Sequence, residues 1–219
     1  MIDDERKVRA VLFDFDGTLA DSTELVMQCY RHTMTEHLGA PPPDEEWLRG
    51  FGTPLEPQIR RFARSLEESD AMLKTYRDYQ AIHHDSLLRP FEGVVELVQE
   101  LLRREVPIAI VTSKHRPGTV KGLDLCGLGD CFVEIVTPED VTNPKPHPEP
   151  VLHALERLKV APADAVFVGD SPHDIASGRA AGTLTAAALW GPFPRAMLES
   201  ENPDFLLSSP SQVLDLVSE

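Results

Sequence analysis

The segment 8–21, VRAVLFDFDGTLAD, constrains this chain more than any other part of it. Ala10–Phe13 is a short apolar run of the kind that forms a strand buried on both faces. It runs straight into Asp14, Phe15, Asp16, Gly17 and Thr18. Two carboxylates at the end of such a strand place charge at the mouth of a sheet, where open α/β folds put their ligands. Gly17 lets the chain turn away, and Thr18 supplies a hydroxyl beside the acids. A lone DxD pair is equally a solvated loop. The decisive question is what else arrives at the same rim.

Further strands do arrive there. Residues 107–111 (PIAIV) predict a strand ending in Thr112, Ser113 and Lys114, and residues 165–168 (AVFV) predict one ending in Gly169, Asp170 and Ser171. A short strand over 132–136 precedes the proline-rich loop NPKPHPEP, which holds Lys145 between Pro144 and Pro146. Helices are expected at 93–104, 117–126, 148–158 and 175–181, a strand at 184–189, an edge strand at 204–207 and a last helix at 211–217. Apolar strands alternating with helices imply a Rossmann-like α/β fold: a parallel sheet with helices on both faces. In such a sheet the strand ends share one edge, so Asp14, Asp16, Thr112, Ser113, Lys145, Asp170 and Asp174 can converge. Several carboxylates gathered at one edge repel each other unless a hard cation such as Mg²⁺ sits among them.

Residues 22–86 interrupt this alternation. Helices are expected from Glu24 to His37, with Ser22 or Thr23 as cap, and then at 44–47, 56–66 and 68–83. Gly39 with Pro41, Pro42 and Pro43, and the RGFGTP stretch at 49–54, break the pattern between them. The division is therefore a core of residues 1–20 and 88–219, with a helical insert over 21–87. The loop with Arg49, Gly50, Phe51, Gly52 and Thr53 offers a guanidinium and free backbone N–H groups, so Arg49 is a candidate substrate contact. Trp47 and Trp190 read as packing residues, and His83 and His84 as solvated. Lys114 and His115 follow the threonine closely without an assigned role. Asp174 reads as a possible N-cap of the helix after it.

The net charge of −15 argues against a nucleic-acid binder, because no basic stripe exists to neutralise phosphates. No apolar run approaches the ~18 residues of a membrane helix, and the first ten residues suggest no secretory signal. Three cysteines, Cys29, Cys126 and Cys131, have no metal or disulfide spacing and read as reduced thiols of a cytoplasmic protein. An acidic chain that handles phosphate needs a local positive charge, from a metal or a lysine.

The ordered set DxDGT (Asp14–Thr18), VTS (Val111–Ser113), KP (Lys145–Pro146) and GDSxxD (Gly169–Asp174) resembles the four motifs of the haloacid dehalogenase-like superfamily. Its C1-capped phosphatase branch, with phosphoglycolate phosphatases and bacterial pyrophosphatases, has the most similar wording. The resemblance implies a Mg²⁺-dependent phosphatase acting on a small phosphorylated metabolite, as monomer or homodimer, with residues 21–87 as a C1-type cap. It implies Asp14 as nucleophile, Asp16 as acid and base, and Thr112 and Ser113 as phosphoryl contacts. Lys145 would balance charge, with Asp14, the Asp16 carbonyl, Asp170 and Asp174 around the metal and Gly169 passing close to it. The position ten residues after Asp16, a histidine in the related phosphomutases, is Val26, which counts against a mutase. Asp16 itself counts against a dehalogenase, and the helical insert against a phospho-aspartate receiver domain. A catalytically silent metabolite sensor would lack part of the motif set, which here is complete.

Overall fold

The computed structural model describes residues 8–217; the first seven residues, over which the absence of a secretory signal was read, and the last two lie outside the described residues. Six parallel strands form the sheet: β1 (Ala10–Phe13), β4 (Ile108–Val111), β5 (Glu134–Val136), β6 (Ala165–Gly169), β7 (Leu184–Ala188) and β8 (Phe205–Leu207), in the order β5-β4-β1-β6-β7-β8. β1 sits in the middle, its Val11 paired with Ile108 on one side and with Val166 on the other. β1, β4 and β6 are buried along their whole length, as strands covered on both faces must be.

Their alternation divides two cores. Val11, Phe13, Ile108, Ile110, Val166 and Val168 face one side, packed with Val94, Leu97, Val98 and Leu101 of α5 (Val94–Arg103). Leu12, Ala109, Val111 and Phe167 face the other, against Val151, Ala154 and Leu155 of α7 (Glu149–Leu158). Because the side-chain period of a strand is two, AVLF can feed both layers at once. Two further core helices, α6 (Arg116–Leu125) and α8 (Pro172–Ala181), follow β4 and β6 directly.

Between β1 and α5 the chain leaves the sheet. Ala20–Asp21 (β2) pairs antiparallel with Arg89–Pro90 (β3), so the outgoing and returning strands are joined side by side. Four helices lie between them: α1 (Thr23–Leu38), α2 (Asp44–Leu48), α3 (Leu55–Arg60) and α4 (Leu66–Leu87). α1 packs along α4, and Tyr30 stacks on the buried Trp47 ring at 4.8 Å, with Tyr76 and Phe62 around it. Trp47 is thus a packing residue, as read.

Several local expectations change. The helix expected over 56–66 stops at Arg60, and Leu66 instead begins α4, because Ser65 accepts the Glu68 N–H as an N-cap. Ser22 stands at the N-cap of α1, but its hydroxyl makes no capping bond and is buried without a partner. The last helix is a 3₁₀ turn over Pro210–Asp215, held by a Ser209–Gln212 capping box. His84 is buried rather than solvated, its Nδ1 3.3 Å from Asp85 and its Nε2 unpartnered, and burial lowers its pKa. His83 is half-buried on the Tyr79 ring. Trp190 packs on the core while its Nε1 donates to the Thr18 carbonyl at 2.8 Å. The pair β2–β3 and helix α9 (Arg195–Ser200) add to what the sequence suggested.

Candidate active site

Asp14 follows the last residue of β1, its N–H bonded to the Val168 carbonyl of the neighbouring strand at 2.9 Å. Asp170 follows β6 in the same way, and the two acids therefore leave adjacent strands at one edge. Lys145 comes from the proline-rich loop after β5 and ends between the carboxylates. Its Nζ donates to Asp14 Oδ1 at 2.8 Å, to Asp174 Oδ1 at 2.6 Å and to the Val111 carbonyl at 3.1 Å. All four charged groups are buried.

Asp174 is not the helix N-cap. Ser171 is, and Asp174 stands three residues on, its Oδ2 accepting the Ser171 N–H and hydroxyl at 3.0 and 2.6 Å in a reciprocal capping box. Asp170 Oδ1 accepts the Thr18 hydroxyl at 2.9 Å, whereas its Oδ2 is buried with no partner. Gly17, at φ +87°, closes the turn where a Cβ would fall 2.4 Å from that unpartnered oxygen. At Gly169 a Cβ would collide with Asp174, so the close approach its small size permits is to that side chain.

Burial raises the Asp14 carboxyl to about 7, with Asp174 adding repulsion and Lys145 opposing both. Asp170 is raised too, by burial first and then by the fields of Asp14 and Asp174. Burial alone would weaken the Lys145 ammonium, yet its two carboxylates outweigh that and hold its pKa above a free lysine's. Three buried acids against one buried base leave the cluster short of positive charge. Asp14, Asp170 and Asp174 each offer an oxygen within 4.8 Å of the others, and Asp170 keeps one buried oxygen, Oδ2, without a partner. These residues suit a divalent cation that prefers hard oxygen ligands.

Above the cluster lies a cavity of about 300 Å³ between the sheet edge and the helical insert. Asp14, Asp16, Thr112, Ser113 and Lys114 form its floor, and Gln58, Tyr76, Arg77 and Gln80 its roof. Thr112 Oγ1 accepts the Lys114 N–H at 3.1 Å, which leaves its proton to donate into the cavity. Ser113 is otherwise engaged: its hydroxyl donates to the Gly52 carbonyl of the insert at 2.7 Å. Arg49, expected to meet substrate, is exposed and does not line the cavity. The cation supplied by the insert is Arg77 of α4, which makes no ion pair among the described residues and acts electrostatically on His115. The helix pattern expected over 68–83 carries no signal that could aim Arg77. Asp16, half-buried, is paired to Lys114, a contact also missed.

A family model described as haloacid dehalogenase-like hydrolase matches residues 11–188. This chain belongs to the haloacid dehalogenase-like hydrolases. It is similar over nearly its whole length to relatives named pyrophosphatase PpaX. That of Bacillus cereus is 39% identical over 212 residues, 97% of each chain, and that of Bacillus thuringiensis is 38% identical over 213 residues, 97% of this chain and 98% of the relative. Among solved structures, a haloacid dehalogenase-like hydrolase from Streptococcus pneumoniae has a TM-score of 0.80 and 28% identity, covering 95% of this chain and 97% of its own. A protein from Lactobacillus plantarum described as "putative phosphoglycolate phosphatase" has a TM-score of 0.84 and 28% identity, covering 96% and 99%. The chain is thus a hydrolase of the phosphatase type, and no helix among its described residues is long and apolar enough to cross a membrane.

Proposed function

We propose that this haloacid dehalogenase-like hydrolase is a Mg²⁺-dependent phosphatase of small phosphorylated metabolites, working through an aspartyl-phosphate, in the cytoplasm. The observation that carries the reading is Lys145 bridging Asp14 and Asp174 beneath a cavity whose floor is Asp14, Asp16 and Thr112. Asp14 Oδ1 is held by the lysine, which fixes the carboxylate and leaves its second oxygen to attack phosphorus. As that oxygen bonds to phosphorus, the bond to the leaving oxygen breaks and Asp16 delivers a proton to it. Water then attacks the phosphorus of the intermediate while Asp16 takes its proton, the bond to Asp14 breaks and phosphate departs. Thr112 donates its hydroxyl to the phosphoryl oxygens, together with N–H groups at the start of α6. Mg²⁺, held by Asp14, Asp170 and the Asp16 carbonyl, would offset the charge between nucleophile and phosphoryl group. Asp174, both of whose oxygens already accept hydrogen bonds, sets the orientation of Lys145 and Ser171 and would lend its negative charge to the ion's site.

Residues 21–87 act as a cap over this site, moving about the β2–β3 pair, and Arg77 meets a second anionic group on the substrate. A cavity of about 300 Å³ suits a compact molecule such as phosphoglycolate. Inorganic pyrophosphate is the second reading, favoured by the 38–39% identical relatives that carry that name. A panel of phosphoglycolate, pyrophosphate and sugar phosphates, each with Mg²⁺ and then with excess EDTA, tests both. Turnover is expected on one of the compact substrates, lost with EDTA and lost with Asp14→Asn. Full turnover by the Asn variant would overturn the nucleophile and with it the intermediate.

A further inference from the structure

Lys114 is absent from the four motif positions, yet its ammonium lies 2.9 Å from Asp16 Oδ1 and 3.0 Å from Oδ2. We propose that Lys114 is a positioning residue that clamps the Asp16 carboxylate at the angle from which it exchanges a proton with the leaving group and with water. The inference rests on the acid–base reading of Asp16 above.

The geometry of the clamp is unusual for a site at a loop. A carboxylate after a strand, one-fifth exposed as Asp16 is, would ordinarily sample several rotamers. Contact with both of its oxygens removes rotation about the terminal bond as well as the first. The lysine that makes those contacts is itself immobilised. Its side chain is only 5% exposed, and its Nζ stands 5.6 Å from the centre of the Phe15 ring, within cation–π range. Its backbone is tied at both ends, the N–H to Thr112 Oγ1 at 3.1 Å and the carbonyl to the Thr119 hydroxyl at 3.4 Å. Asp16 provides its only side-chain hydrogen bonds among the described residues. The same three-residue segment therefore aims two groups at the reacting centre: Thr112 through its own hydroxyl, and Asp16 through the lysine two residues on.

Three roles for Lys114 predict different kinetics. A lysine that binds substrate sets KM. A lysine that only adds an ion pair to the fold sets unfolding stability and leaves the reaction alone. A positioning lysine sets kcat, and only while Asp16 is present. The test is a double-mutant cycle on the Mg²⁺-loaded enzyme with p-nitrophenyl phosphate, using Lys114→Met, Lys114→Arg, Asp16→Asn and the Lys114→Met/Asp16→Asn pair, with thermal unfolding followed for each. Lys114→Met is expected to lower kcat about 10- to 100-fold with KM within about threefold, and Lys114→Arg to recover part of that loss. In the Asp16→Asn background Lys114→Met is expected to change kcat by less than about twofold. Losses that multiply in the double variant, or a KM that rises while kcat holds, overturn the assignment. Should Lys114→Met fail to fold, Lys114→Gln replaces it with the same expectations. Unimpaired turnover by Asp16→Asn alone would instead defeat the acid–base reading, a separate failure from that of the clamp.

Discussion

The Asp14 carboxyl is buried with two other acids and one ammonium, and its protonation is therefore tied to what else enters. Burial raises it to about 7 from its ordinary 3.8, Lys145 notwithstanding. A carboxyl with a raised folded pKa gives stability that is present below the unfolded value and lost as pH rises through the folded one. In EDTA this site should thus weaken the fold progressively between about pH 4 and 7. A divalent ion needs the ionised carboxylate, so its binding releases protons and tightens over the same window. The expected outcome is a Mg²⁺-induced rise in Tm that is small at pH 5 and larger at pH 8, and that flattens in Asp14→Asn. Measuring the difference with and without Mg²⁺ cancels ion-paired groups far from the site such as Glu68 and Glu100, whose pKa values shift the other way toward about 2. An equal rise at both pH values would show that Asp14 does not control ion binding.

At the scale of elements, one loop of the α1–α4 insert reaches down to the rim of the sheet. Gly52, at φ +88°, donates no side chain, and its carbonyl accepts the Ser113 hydroxyl. A Cβ there would fall 2.7 Å from the Ser171 hydroxyl, which caps α8 and holds Asp174. Gly52→Ala combines left-handed strain of about 1–3 kcal/mol with displacement of that serine. Its kcat/KM is expected to fall about tenfold, read by steady-state kinetics, with the urea midpoint falling in parallel; unchanged kinetics would mean that the loop does not set the site. The strand ends were legible because a doubly buried strand must be apolar along its length and can turn polar only where it stops. That pattern marked Asp14, Thr112 and Asp170 at one edge before any fold was known. Lys145 was legible for a different reason, a lysine fixed between two prolines. Arg77 and the Lys114–Asp16 pair were not, because the rotation of α4 above the rim and the path of a lysine under Phe15 are set by tertiary packing. The placing of Arg49 outside the cavity lining was not legible for the same reason: a broken helix pattern locates a loop but not the direction of its side chains. The β2–β3 pair, two residues on each side, is too short to show any period.

Over the whole molecule the formal charge is −15, while the substrate class proposed for it is anionic. The two facts act at different ranges. Arg77 at the cavity and Lys145 beneath it act on a bound anion across a few ångströms, less than the screening length at any ordinary salt concentration. The net charge acts on an approaching anion across tens of ångströms, and that field is unscreened at ~0.01 M salt, where the Debye length is about 30 Å, but strongly cut at ~0.15 M, where it is about 8 Å. Added salt should therefore remove the long-range repulsion while sparing the short contacts. With Mg²⁺ held constant and saturating, kcat/KM for an anionic substrate is expected to rise about two- to fivefold from ~10 to ~150 mM NaCl, while kcat stays level. The rise should shrink for a substrate of lower charge, because the repulsion scales with the product of the two charges. A fall in kcat/KM with salt would mean that the cations at the cavity, not the acidic surface, govern the field that an incoming substrate meets.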